Sequence, residues 1–144
     1  MAVDRSFIER NRAATERIRE LAGRGGEVMQ ARMGQHWTVA IMLAHLAFWD
    51  LRALTVLERT EREGKLDAPI FDDVLNDLML PFWAAIPAGE AARLAVEYAQ
   101  ALDEKLAGYP DELLALVDEY NHRWVDRSIH RNLHIDEALE AFAH

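Results

Sequence analysis

Six histidines and no cysteine bound the metal and acid–base chemistry open to this chain of 144 residues. Two of them, His130 and His134, form the pair HRNLH. On an α-helix that spacing sets both rings on one face, about 40° apart around the axis. Two imidazoles so placed can reach one divalent ion at about 2.0–2.1 Å. The pair alone is a weak signal, because His-x3-His arises by chance and a solvated helix face carries it equally well. Its surroundings narrow the choice. The stretch VDRSIHRN holds one large apolar residue, Ile129, whereas Trp124 and Val125 come before it and Ile135, Leu139 and Phe142 after. A core-facing helix shows a continuous apolar stripe. A polar break in it means either a polar cavity in the core or an exposed middle.

His45 helps to decide. It stands inside WTVAIMLAHLAFWD, Trp37 to Asp50, an otherwise oily run. At 100° per residue, Ile41, Trp49 and Val56 lie within about 40° of it, so the ring faces the core. A buried imidazole needs a partner, which can be a backbone carbonyl, a carboxylate or a metal ion. For His45 alone a carbonyl-bonded core histidine is the simpler reading. Together, His45, His130 and His134 offer three neutral nitrogen donors, the number that leaves a catalytic ion one open position. Asp126, one turn before His130, and Glu137, on the same side of the helix, could each orient a ligand ring through its other nitrogen. Ion pairs with Arg123, Arg127 or Arg131 on a solvated face are the simpler reading of both. Trp49 reads as core, and Arg52 either meets an anionic substrate or points outward. His36, just before a helix start, and His144, the last residue, read as surface groups.

The elements that must position these side chains are helical. The first helix runs from about Asp4 to Ala22, with Ser6 and Glu9 as a capping box and Phe7, Ala14, Ile18 and Leu21 as its stripe. A linker follows GRGG. Thr38 caps a second helix that carries Met42, Leu46, Trp49, Ala53 and Val56 on one face and stops near Gly64. Three prolines between Leu66 and Ala91 imply short helical pieces and turns. A third long helix ends at Gly108 and Pro110, DELLALV is a short apolar piece, and the last helix spans about Asp118 to Phe142. No stretch alternates with period two long enough to make a strand. The expected fold is all-α: a single domain over residues 1–144, a four-helix bundle with long connections and short extra helices between helices 2 and 3 and before helix 4.

Composition excludes several function classes. Sixteen Lys and Arg against 25 Asp and Glu give a net charge of −9, and no long basic run offers a footprint for nucleic acid. The N-terminus lacks the apolar region of a signal peptide. No window reaches the roughly 18 uncharged apolar residues of a membrane span. A cytoplasmic protein without a membrane partner is expected. Phe71, Leu75, Leu78, Met79, Leu80, Phe82 and Trp83 either fill one end of the bundle or leave a patch for a second copy of the chain.

HWTVAIMLAHLAFWD resembles the helix-two signature of the DinB-like superfamily, Trp-Ser/Thr-x6-His, matched at Trp37, Thr38 and His45. HRNLHIDEALEAF is similar to that family's last-helix motif, matched at His130 and His134. The resemblance covers the whole chain in length, element order and site spacing. It implies a four-helix bundle, often dimeric, holding Zn, Ni or Fe through three histidines. It also implies chemistry of the kind its members perform: thiol S-transfer with a low-molecular-weight thiol cosubstrate, maleylpyruvate isomerisation, or hydrolysis of a reactive genotoxin. The isomerase branch carries Glu where this chain has His130, which sets that reaction apart. A divalent ion on three neutral imidazoles lowers the pKa of bound water toward about 7 or activates an incoming thiol. The expected function is therefore a metal-dependent hydrolase or thiol S-transferase acting on a small electrophile. The alternative is a non-enzymatic binding, sequestration or stress-protection protein whose histidines are structural or vestigial.

Overall fold

A computed structural model of the chain describes residues 3–70 and 72–142, so the readings for Phe71 and His144 fall outside it. Seven helices make up most of the described residues: α1 (Phe7–Ala22), α2 (Gly26–Met29), α3 (Val39–Glu63), α4 (Val74–Ala84), α5 (Ala88–Ala107), α6 (Asp111–Tyr120) and α7 (Ser128–Ala141). The fold is all-α apart from one ladder, β1 (Arg32–Met33) and β2 (Trp37–Thr38), which pairs Arg32 with Thr38 and Met33 with Trp37 antiparallel. Two-residue strands are too short to show alternation in a sequence, which is why none was expected. Gly34, at φ 77°, supplies the left-handed residue of the turn between them.

Thr38 ends β2 and caps α3, its Oγ1 accepting from the Ile41 amide at 3.2 Å. Gly64, at φ 72°, closes the same helix with its amide on the Thr60 carbonyl. The capping box expected at Ser6 does not form. Asp4 competes for that serine, taking its amide at 2.9 Å and its hydroxyl at 3.2 Å, and α1 begins at Phe7 instead of Asp4.

A larger correction concerns the last helix. The chain leaves α6 at Asn121, whose backbone is extended at φ −163°, and passes through a 3₁₀ turn, His122–Trp124, before α7 begins at Ser128. The segment expected as one helix from Asp118 is thus the end of α6, a turn and α7, and DELLALV is the body of α6. Two asparagines cause the break by offering the backbone bonds that compete with helix. Asn121 Oδ1 accepts from the Arg123 amide at 3.0 Å. Asn11, on α1, accepts from the Arg127 and Ser128 amides at 2.8 and 3.0 Å and donates to the Val125 carbonyl at 2.9 Å.

α3 lies along α5, and α1 against α5 and α7. The core is two apolar clusters. One gathers Ile18, Leu21, Leu43, Leu46, Trp83 and Ile135; the other gathers Phe7, Leu57, Leu102, Tyr109, Leu114 and Trp124. Burying each such side chain contributes about 1.5–3 kcal/mol. Between the clusters, at the same level on four helices, lie buried Asn11 and Thr15 (α1), Asp50 (α3), Asp103 (α5) and Arg131 (α7), with Arg127 just ahead of α7. Asp50 accepts from Arg127 Nε and Arg131 Nε at 3.0 Å each, and Arg131 Nη1 reaches Asp103 at 2.8 Å. Thr15 donates its hydroxyl to Asp103. The two buried guanidiniums and two carboxylates balance, as buried charges must.

α3 is long and apolar enough to cross a membrane by length and composition, although Asp50 and Arg52 interrupt it; more than half of that stretch is buried in the protein's own core. The apolar run over α4 and the turn after it divides. Trp83 is buried and Met79 and Ile86 pack on the first cluster, while Val74, Leu78 and Phe82 stay exposed at 57–62 %.

Candidate metal centre

α3 and α7 bring His45, His130 and His134 together. One ring nitrogen from each lies within 4.8 Å of the other two, and His45 Nε2 stands 3.1 Å from His130 Nε2. His45 is buried and the other two are half-buried. Three neighbours hold His45 stiffly: Trp37 and Trp83 meet it edge-on with ring centroids at 5.0 Å, and Trp49 lies at 6.3 Å. Two residues of its own oily run, Trp37 and Trp49, and Trp83 from α4 therefore build its socket.

Burial holds the pKa of both His45 and His130 near 2, reinforced for His45 by the other two imidazoles and for His130 by the Arg127 charge. Both rings are neutral at any physiological pH, the form in which imidazole binds a metal. His134 Nδ1 donates to Glu137 Oε1 at 2.7 Å, which leaves its Nε2 as the lone-pair nitrogen. Glu137 thus stands where the sequence allowed it to. Asp126 does not. It lies ahead of α7, and its carboxylate is taken by Arg10 Nε at 2.9 Å and by the amide and hydroxyl of Ser128. Because the helix begins after it, Asp126 is not one helical turn behind His130.

The donor set fits a divalent ion. Two nitrogens about 2.05 Å from one tetrahedral ion stand about 3.3 Å apart, close to the 3.1 Å between the two Nε2 atoms. Without an ion those atoms can share only one proton, and both Nδ1 atoms are buried with no hydrogen-bond partner among the described residues. Each such orphan costs about 1–3 kcal/mol. An ion between the two Nε2 atoms would relieve their contest for one proton, while the two Nδ1 atoms would stay unpaired with it bound.

A cavity of about 510 Å³ opens beside the histidines, within the range of small-molecule sites. Trp49 and Arg52 line it, as do Asn76, Asn121, Arg123, Trp124 and Arg127. Trp49 is half-buried and forms a wall, where the sequence read it as core. Arg52 lies over the rings of Trp49 and Trp124, 4.9 and 5.4 Å from their centroids, so it faces the cavity. Asn76 and Asn121 were not foreseen, since an asparagine in a loop or short helix carries no spacing signal. Asp50 left a signal that went unread: a carboxylate in the same oily run as His45. A second cavity, of about 470 Å³, meets the first at Trp37 and His134 and is lined by Glu137 and Glu140.

No family model matches the chain, and neither a curated protein nor a solved structure matches it.

Proposed function

We propose that the chain is a DinB-like four-helix bundle, with α1, α3, α5 and α7 as its long helices, and a divalent-metal-dependent enzyme of the cytosol. On this reading it acts as a hydrolase or thiol S-transferase on a small electrophile. The observation that carries the proposal is the convergence of three imidazole nitrogens beside a cavity large enough for such a substrate. His45, His130 and His134 would hold Zn, Ni or Fe, all of which suit a three-histidine set. Bound there, the metal supplies Lewis-acid activation of water or of a cosubstrate thiol. The protein's part is positional. Trp37 and Trp83 fix the His45 ring, Glu137 fixes the His134 tautomer, and the apolar socket keeps bulk water from the ligand set. With no cysteine in the chain, a thiol nucleophile must arrive as a cosubstrate.

Zinc titration of untagged protein, followed by elemental analysis, tests the ligand set. The expected result is about one ion per chain for the parent and none retained by His45→Ala. Equal retention by both proteins would sink the proposal.

One observation favours a second reading, a non-enzymatic helical protein that binds or sequesters an apolar ligand in stress protection. His45 and His130 lack the Nδ1 partners that catalytic metal ligands usually have. Cobalt-substituted protein separates the two. An azide-dependent change in its visible spectrum marks an open coordination position, and an unchanging spectrum marks a closed or vestigial site.

A further inference from the structure

We infer that the cavity beside the three histidines takes a small organic molecule bearing an oxyanion, carboxylate or phosphate, which Arg52 and Arg123 anchor. The inference rests on the proposed function only in placing the reacting end of that molecule at the histidines.

The argument begins with what the cavity wall lacks. Carboxylates outnumber cations in this chain, 25 to 16, yet among the described residues no Asp or Glu lines the cavity, whereas three arginines do. Arg127 is spoken for, with Nε on Asp50 and Nη1 on the Arg123 carbonyl. Arg52 and Arg123 have no ion-pair partner among the described residues. The groups that act on the Arg52 pKa besides burial are Tyr120 and Arg127, and no carboxylate is among them. The Arg52 guanidinium carbon lies over the Trp49 and Trp124 rings, and its N–H groups make no hydrogen bond or ion pair among the described residues, which leaves donors for an oxyanion.

The two asparagines add to this. Asn76 Oδ1 accepts from Trp49 Nε1 at 2.9 Å, and Asn121 Oδ1 accepts from the Arg123 amide at 3.0 Å. Both partners are donors only, so each side-chain orientation is fixed. Each asparagine therefore has its carbonyl oxygen engaged and its NH₂ left over as a donor. Guanidiniums and amide NH₂ donors, with no carboxylate among the described lining residues, complement an anion. The apolar side chains that line the same cavity, Trp37, Ala53 and Trp124 among them, suit an apolar body on the same molecule.

Calorimetric titration of the full chain, zinc-loaded and chelator-treated, tests this with benzoate, phenyl phosphate and the neutral isostere benzamide. At least one anion should bind, with benzamide about tenfold weaker or worse, because a charge-assisted bond is lost. The anion that binds more tightly identifies which oxyanion the site takes. Arg52→Gln should raise the anion Kd about tenfold, and Arg123→Gln, at an exposed position that leaves folding intact, should raise it less. Benzamide binding as tightly as both anions would overturn the inference. So would anion binding that vanishes with the metal and ignores both substitutions, since the ion alone would then hold the oxyanion. Zinc uptake is scored separately. Arginine-dependent anion binding without metal uptake leaves this inference standing and ends the enzyme proposal; metal uptake with no preference for anions does the reverse.

Discussion

Tyr109 links one buried hydroxyl to the pH dependence of stability. It is 1 % exposed, and its Oη donates to the Leu57 carbonyl at 2.7 Å. Burial, with help from the Glu61 charge, pushes its pKa from 10.0 up to about 12. The folded chain therefore binds that proton more tightly than the unfolded one. Its contribution is complete below pH 10 and is lost as pH rises from 10 through 12. Tyr109→Phe should cost about 1 kcal/mol at neutral pH by deleting the hydrogen bond. It should also flatten the decline above about pH 10. Urea unfolding of both proteins at neutral and alkaline pH measures this, and parallel declines would contradict it. At the three-histidine cluster the same scale predicts a smaller effect for Glu137→Gln, because Glu137 is half-exposed and water can replace it. Zinc affinity should fall by about tenfold, the low end for a ligand-orienting group, with His134 still binding.

Among the elements, α7 owes its start to a residue more than 100 positions earlier in the chain. Asn11 receives two of the helix's free amides and supports the carbonyl just before them. Asn11→Ala takes the partner from the buried Arg127 amide and Val125 carbonyl, while Asp126 still accepts from the Ser128 amide, and should cost about 2–3 kcal/mol in urea unfolding. Asp50→Asn strips the shared carboxylate from Arg127 and Arg131 and should cost about 3–5 kcal/mol; a loss as small as that of a surface substitution would show that water reaches the layer. This scale also separates what the sequence shows from what it conceals. His45, His130 and His134 are legible because local periodicity places one on an apolar face and two on a shared face. Thr38 and Gly64 are legible because caps are local. The break before α7 is not, since its cause is an asparagine on another helix. For the same reason Asp126 looks like a neighbour of His130 until the helix is seen to begin after it. Arg131 reads as a surface cation from its neighbours and is 0 % exposed in the fold.

For the whole molecule, metal binding and folding are one equilibrium if the ligand set exists only in the folded chain. Zinc at about a hundredfold excess over its Kd should stabilise the protein by about 2.7 kcal/mol. In a domain of this size that raises Tm by about 5–10 °C, and His45→Ala should remove the shift. Thermal melts with and without chelator measure it. The polar layer that parts the two apolar clusters bears on the same site. Oily side chains tolerate sliding, because one leucine replaces another at little loss. Asp50, Asp103 and Arg131 do not: moving α3 by one turn, about 5.4 Å, would strand each charge against hydrocarbon. The layer thus works as an alignment key that admits one longitudinal setting of α3 against α7. His45 stands five residues from Asp50 and His130 next to Arg131, so the setting that pairs the charges also brings the imidazole nitrogens together.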